Sequence, residues 1–221
     1  MPKIIHYADV YSLNSKLIKQ SDLVESEYVY QKCPAFVHKN ERVFVGTSPI
    51  DLDFSIERTA NGPLMQIEDM NTSQYIEIDD EHIYSPRPVF QLYVPKFLFW
   101  TDDDDIWIEQ NDHPMTSLNN NIVAVPAWFN LSNWSRTVSV AFTIVNEQKS
   151  VIIKKGDPLF RISFYSNNLN DNFKLKQEKY RDEYKDVVEN HLYQRRDGDG
   201  YKSKLFSKTS KTGKCPFSFL F

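Results

Sequence analysis

The chain reads as a mainly β protein: a jelly roll, a sandwich or a β-clip-like barrel, with one C-terminal amphipathic helix. Three observations lead there. Short alternating or continuous apolar runs recur from Glu27 to Tyr165, with turn residues and no helical period between them. Aromatic residues make up 14% of the 221 positions, with 15 Phe and 12 Tyr, and rings suit half-buried strands. Hydrophobic residues reach 41%, enough for a core, while only 6 Gly exclude fibrous and Gly-rich architectures.

The elements follow in order. "EYVYQ", "RVFVG" and "DLDFSIER" are the first strands of the series. Asn61-Gly62 predicts a tight hairpin turn leading into "PLMQIED". "QYIEID" alternates cleanly, and "PVFQLYVPKFLFW" and "IWIEQ" flank four aspartates. "NIVAVPAWF" is a further strand in which Pro126 marks an edge or a bend, because proline donates nothing to a ladder. "TVSVAFTIVN" and "SVIIKKGDPLFRISFY" close the β-rich body, which spans 1–166. Over 167–197, Phe173, Tyr180, Tyr184, Val187, Val188, His191 and Leu192 fall near one stripe, so a helix packed on the body is expected. Residues 198–221 form a basic tail with an apolar end, "PFSFLF", too greasy to stand in water without a docking surface.

Asp102 to Asp105 raise the question of a metal site. An EF-hand loop needs spaced acids and a central Gly; here the acids are adjacent and Ile106, Trp107 and Ile108 follow. Neighbouring strand residues point to opposite faces, so four consecutive carboxylates do not converge. The run is expected to be the polar turn of a hairpin, with no metal or other cofactor. His113 lacks the His-x-His or His-Glu-x-x-His spacing, and Pro114 and Met115 follow it where an iron triad needs a carboxylate two residues on, so it reads as a loop residue beside Pro114. No Gly-x-Ser-x-Gly elbow and no phosphate-cradling glycine motif is present. Cys33 and Cys215 read as half-buried small apolar groups that could also face each other.

Trp134 and Arg136 precede a strand. They form either an exposed hot spot or a buried ring with a guanidinium stacked on it. Trp107, Glu109, His113, Trp134 and Arg136 are accordingly the candidate binding residues, and no catalytic residue is assigned. The net charge of −4 argues against a dedicated duplex-DNA binder. Nucleic acid is left only the lysines of the tail: Lys202, Lys204, Lys208, Lys211 and Lys214. No secretory signal or membrane-length apolar run is visible, so a soluble chain with reduced thiols is expected.

Two resemblances add to this. "PAWFNLSNWSRTVSVAFTIVNEQKSVIIKKGDPLFRISFY" resembles the closing hairpin of dUTPase-like β-clip and jelly-roll proteins, with "KKGD" as the tight turn. The nucleotide-binding motifs of those enzymes have no counterpart here, so the resemblance implies the fold alone. More widely, the order "CPAF", "FVGTSPIDLDF", "FLFWTDDDDIWI", "WFNLSNWSR", "IKKGDPLFRI", "CPF" is similar to an uncharacterised family of tailed phages, especially cyanophages, and bacteria. It implies a phage-encoded protein in the host cytoplasm or the virion. The expected function is non-catalytic protein binding, self-association or assembly. The alternative is an enzyme or small-molecule binder with its site in a barrel mouth.

Overall fold

The computed structural model describes residues 1–23, 33–59, 62–67, 71–78 and 89–184. Among the described residues the architecture is a β sandwich of three sheets, none of which closes on itself, so they form no closed barrel with a mouth. The first sheet has the order β14-β1-β7-β11-β9, built from Phe173–Glu178, Lys3–Asp9, Val89–Trp100, Arg136–Ile144 and Ile122–Ala124, with β6 (Ile76–Ile78) also on β7. The second is β10-β8-β13-β3-β2: Ala127–Asn130, Trp107–Asp112, Pro158–Tyr165, Val43–Thr47 and Leu17–Lys19. The third joins β12 (Val151–Ile153), β4 (Leu52–Thr59) and β5 (Gly62–Ile67). Three short helices accompany them: α1 (Gln20–Leu23), α2 (Pro34–Asn40) and α3 (Pro114–Asn119).

The aromatic alternation explains the packing. In β7, Phe97 and Phe99 turn inward while Leu98 and Trp100 turn outward. Phe99 meets Phe164 of the second sheet at 6.2 Å between ring centroids, and Phe90 meets Phe54 of the third at 5.1 Å. All three sheets thus share one apolar core, each buried Phe contributing about 1.5–3 kcal/mol. β4 and β5 pair antiparallel from Thr59–Gly62 to Phe54–Ile67, and Asn61 of the expected turn lies outside the described residues. Pro126 lies at a bend: β9 ends one edge of the first sheet and β10 ends one edge of the second.

Four expectations are corrected. Asp102 to Asp105 do bend the chain, but β7 and β8 belong to different sheets, so the bend is a crossover and not a hairpin. Likewise "KKGD" is a turn, with Gly156 at φ +94° and the Asp157 carboxylate accepting from Lys154 N. Yet β12 pairs with β4 and β13 with β3 and β8, so the turn leads from one sheet to another. Finally, Phe173–Glu178 is a strand and not the start of a helix. It pairs in parallel with β1, placing Phe173 against Phe164 and alternating Lys174 and Lys176 outward. The free edge of β1 offers six residues a backbone ladder, which outweighs an isolated helix of marginal stability. The stripe returns beyond it: Tyr180 and Tyr184 pack on Trp100 and Leu98 over the outer face of the first sheet. The rest of the expected helix, the basic tail, Cys215 and "EYVYQ" lie outside the described residues. Cys33 is exposed before α2 and not half-buried.

Candidate functional site

The outer face of the second sheet divides in two. Over β3, Val43 and Val45 are buried where α1 and α2 pack against that strand. Over β8, β10 and the end of β13, the same face carries rings. Strand alternation sends Ile108 into the core and Trp107 and Glu109 outward. Register supplies their neighbours: Trp107 lies opposite Tyr165 of β13, and Glu109 lies opposite Trp128 of β10 and Ser163 of β13.

The rings are fixed. Trp107 and Trp128 stack with centroids 4.9 Å apart and planes 29° apart. The Trp107 indole Nε1 donates to Asp105 Oδ1 at 3.0 Å, so the last aspartate of the crossover holds the ring. Asp105 itself adopts a left-handed φ of +55°, a conformation Asp tolerates better than most residues. The Tyr165 hydroxyl donates to Glu109 Oε2 at 2.7 Å. Burial, then the hydrogen bond to Glu109, push the Tyr165 hydroxyl pKa up, so it keeps its proton at neutral pH. Trp128 remains 60% exposed and Tyr165 37%. Together with Ile108 they border a shallow groove of about 380 Å³.

Of the five candidate residues, the fold brings Trp107 and Glu109 together and separates the other three. Trp134 is buried, with Phe129 edge-on at 5.3 Å and the Arg136 guanidinium 4.0 Å over its ring. The Trp134–Arg136 pair is therefore a buried stack that seals the start of β11 and not an exposed hot spot. His113 lies past the far end of β8, roughly 20 Å along the strand from Trp107 at ~3.3 Å per residue. It is buried and caps α3, its Nδ1 accepting from Met115 N at 3.3 Å. Burial, then the Arg161 charge, lower its pKa against a partial counter-effect from Asp112.

Trp128 and Tyr165 are the members of the ledge that sequence reasoning missed. Their outward positions follow from period-two alternation, but only the pairing of β8 with both β10 and β13 makes them neighbours of Trp107 and Glu109.

The aspartates themselves are parts of the fold. Asp103 accepts from Ile4 N at 2.9 Å and pairs with Lys3 at 3.2 Å. Among the described residues no three His, Cys, Asp or Glu side chains converge as a metal ion would require. A second depression of about 590 Å³ lies between His6, Asp102, Asp103, Lys174 and Lys176. Its wall is cross-linked: Glu178 pairs with Lys176 at 2.8 Å and lies 3.3 Å from His6 Nδ1, and Asp103 pairs with Lys3. Among the described residues no helix is long and apolar enough to cross a membrane. No protein-family model and no curated protein matches the chain.

Proposed function

We propose that the chain is a non-catalytic binding protein that holds a protein partner on the Trp107–Trp128–Tyr165 ledge. One observation carries the reading: Trp128 is 60% exposed on an edge strand, yet stacked on a second Trp that a carboxylate locks in place. A large ring left in water costs free energy that a partner recovers on covering it, and preorganised rings lose little entropy on contact. Trp and Tyr are also the residue types enriched where truncation costs binding most. The ledge is an outer sheet face without a deep enclosure, which favours contact over chemistry.

The resemblance to the phage family supplies the setting we propose: a phage-encoded protein acting in the infected cell or in the particle. Its partner is another protein or a second copy of the chain. An enzymatic role has less support, because His113 stands far from Glu109 and caps a helix.

The test is selection from peptide and glycan arrays with the full chain, repeated with Trp128→Ala. Ligands retained by the parent, lost by the variant and recovered chemically unchanged support the reading. Ligands held equally by both proteins move the contact face elsewhere, and a ligand altered by the parent protein overturns the non-catalytic reading.

A further inference from the structure

We propose that the outer face of the first sheet carries a second binding site, in which the Lys96 ammonium, set between Tyr11 and Tyr93, seats a carboxylate. The site is separate from the ledge, which lies on the second sheet, and does not depend on it. Its origin is an irregularity in strand pairing. Val138 pairs with Phe97 and Val140 with Leu92, so four residues of β7, 93–96, face only Ser139 of β11. Such a bulge shifts side-chain alternation. Leu92, Val94 and Phe97 turn to the core, and Tyr93 and Lys96 both turn outward. On the opposite side of β7, β1 pairs beyond the bulge and β6 before it. Tyr11 follows β1 and Tyr75 precedes β6, so both reach the bulge.

The result is a group of three rings beside one cation. Lys96 Nζ lies 5.3 Å from the Tyr93 centroid and 5.8 Å from that of Tyr11, and Tyr75 meets Tyr11 edge-on at 5.8 Å. Both cation distances approach the limit of about 6 Å for attraction to a ring, so the rings flank the ammonium without closing on it. Lys96 is half-buried, yet among the described residues its ammonium forms no ion pair and no hydrogen bond. Burial lowers its pKa, and no neighbouring carboxylate acts against that. A partly dehydrated ammonium ordinarily recovers its lost hydration from an acceptor. Here that acceptor is left for a ligand to supply.

The remaining donors select the ligand. The Tyr93 hydroxyl is spent on the Glu77 carboxylate. The Tyr11 and Tyr75 hydroxyls make no hydrogen bond among the described residues. The site thus offers one positive charge, two hydroxyls with donors to spare and a Tyr11 ring that is 41% exposed. A carboxylate matches it, with a single negative charge and oxygens that only accept. A phosphate dianion brings a second charge for which the group has no cation, and Glu77 on Tyr93 repels the excess. A cationic ligand is opposed by Lys96 itself. The carboxylate belongs either to a free organic acid or to an acidic side chain of a partner protein, and the probes below separate the two.

The experiment isotope-labels the tyrosine rings of the full chain and follows their resonances during titration. The probes are benzoate, its neutral isostere benzamide, capped Gly-Glu-Gly and inorganic phosphate. We expect saturable shifts of the Tyr11 and Tyr93 signals with a carboxylate probe. Binding should be about fivefold weaker or worse for benzamide and for Lys96→Met, which keeps the apolar stem without the charge. Lys174→Met, on β14 of the same sheet, should bind as the parent does. A second measurement needs no variant: a saturating carboxylate should slow acetylation of Lys96 by acetic anhydride about threefold relative to Lys174, read by peptide mass mapping. Stronger binding of benzoate assigns the site to organic acids, and stronger binding of the glutamyl peptide assigns it to an acidic segment of a partner. Phosphate binding more tightly than both carboxylates overturns the proposal. So do benzamide matching benzoate, undiminished binding in Lys96→Met, no shift with either carboxylate, or Lys96 acetylation that ignores the ligand.

Discussion

Asp105 Oδ1 accepts the Trp107 indole N–H at 3.0 Å, so the acidic crossover between two sheets also sets the exposed ring pair. The crossover is in turn pinned from the loop between β10 and β11: Ser132 Oγ donates to Asp103 O at 2.5 Å and accepts from Ile106 N at 2.9 Å. Asp105→Ala removes the acceptor and leaves a non-glycine residue at φ +55° with no side-chain compensation. We expect a loss of about 1–2 kcal/mol in urea unfolding, with red-shifted Trp emission. Asp105→Asn keeps both the acceptor and tolerance for that backbone and should stay near the parent. Equal losses for the two variants would contradict this account.

Gly46 faces Phe160 across the β3–β13 pair, and a Cβ there would lie 2.3 Å from the ring Cζ. The ring is fully packed in the core, so it has little room to yield. Gly46→Ala should therefore destabilise by about 1–3 kcal/mol. Combining it with Phe160→Leu should cost less than the sum of the two single changes, as measured by a double-mutant cycle. Additivity would mean that the methyl and ring never meet.

His113 gives a pH signature. Its folded pKa is lowered by burial and by Arg161, so the unfolded chain binds the proton more readily. The associated stability is complete above the unfolded pKa of about 6.5 and falls as pH drops from there towards the folded value. Replacement by Asn preserves a helix cap without a titrating group. His113→Asn should flatten the stability profile below about pH 6.5, leaving the alkaline side unchanged. A profile parallel to the parent's throughout would assign the acid loss to other groups.

The parallel strand β14 predicts what truncation does. A chain ended at Ser166 loses the six-residue ladder on β1 and uncovers Phe164, against which Phe173 packs at 6.0 Å. It should lose thermal stability markedly in calorimetry, whereas a chain ended at Tyr184 retains the strand and the cover over Trp100. Equal melting of the two would restore position 166 as the end of the folding unit.

Arg136 should prove structural. Its guanidinium lies over both Phe129 and Trp134, so Arg136→Ala removes two stacking contacts worth about 0.5–2 kcal/mol in total. Binding at the ledge should be unchanged in that variant, measured on the ligands that the array selection retains.

Most of the β elements were legible locally. The alternation in Val89–Trp100 and Arg136–Ile144, the antiparallel β4–β5 pair and the bend at Pro126 all depend on residues close in sequence. The strand at Phe173–Glu178 was obscured because Phe173, Tyr180 and Tyr184 also satisfy a helical stripe. Only the vacant edge of β1, about 170 positions earlier, decides between them. Half of the ledge was legible too. Trp107 and Glu109 share a face by alternation alone, while Trp128 and Tyr165 come from strands of unstated adjacency.

By itself, the sequence determined a β-rich, aromatic-cored protein whose acidic run bends the chain and whose strands each have an inner and an outer face. The tertiary structure alone decided which strands share a sheet. It made the aspartates a crossover, buried Trp134 under Arg136, set His113 as a helix cap and gathered Trp107, Trp128, Tyr165 and Glu109 on one surface. The reason is the range of the interactions. Side-chain alternation is fixed by the backbone of two successive residues, whereas strand partners are chosen by hydrogen-bond ladders and apolar contacts between segments far apart along the chain.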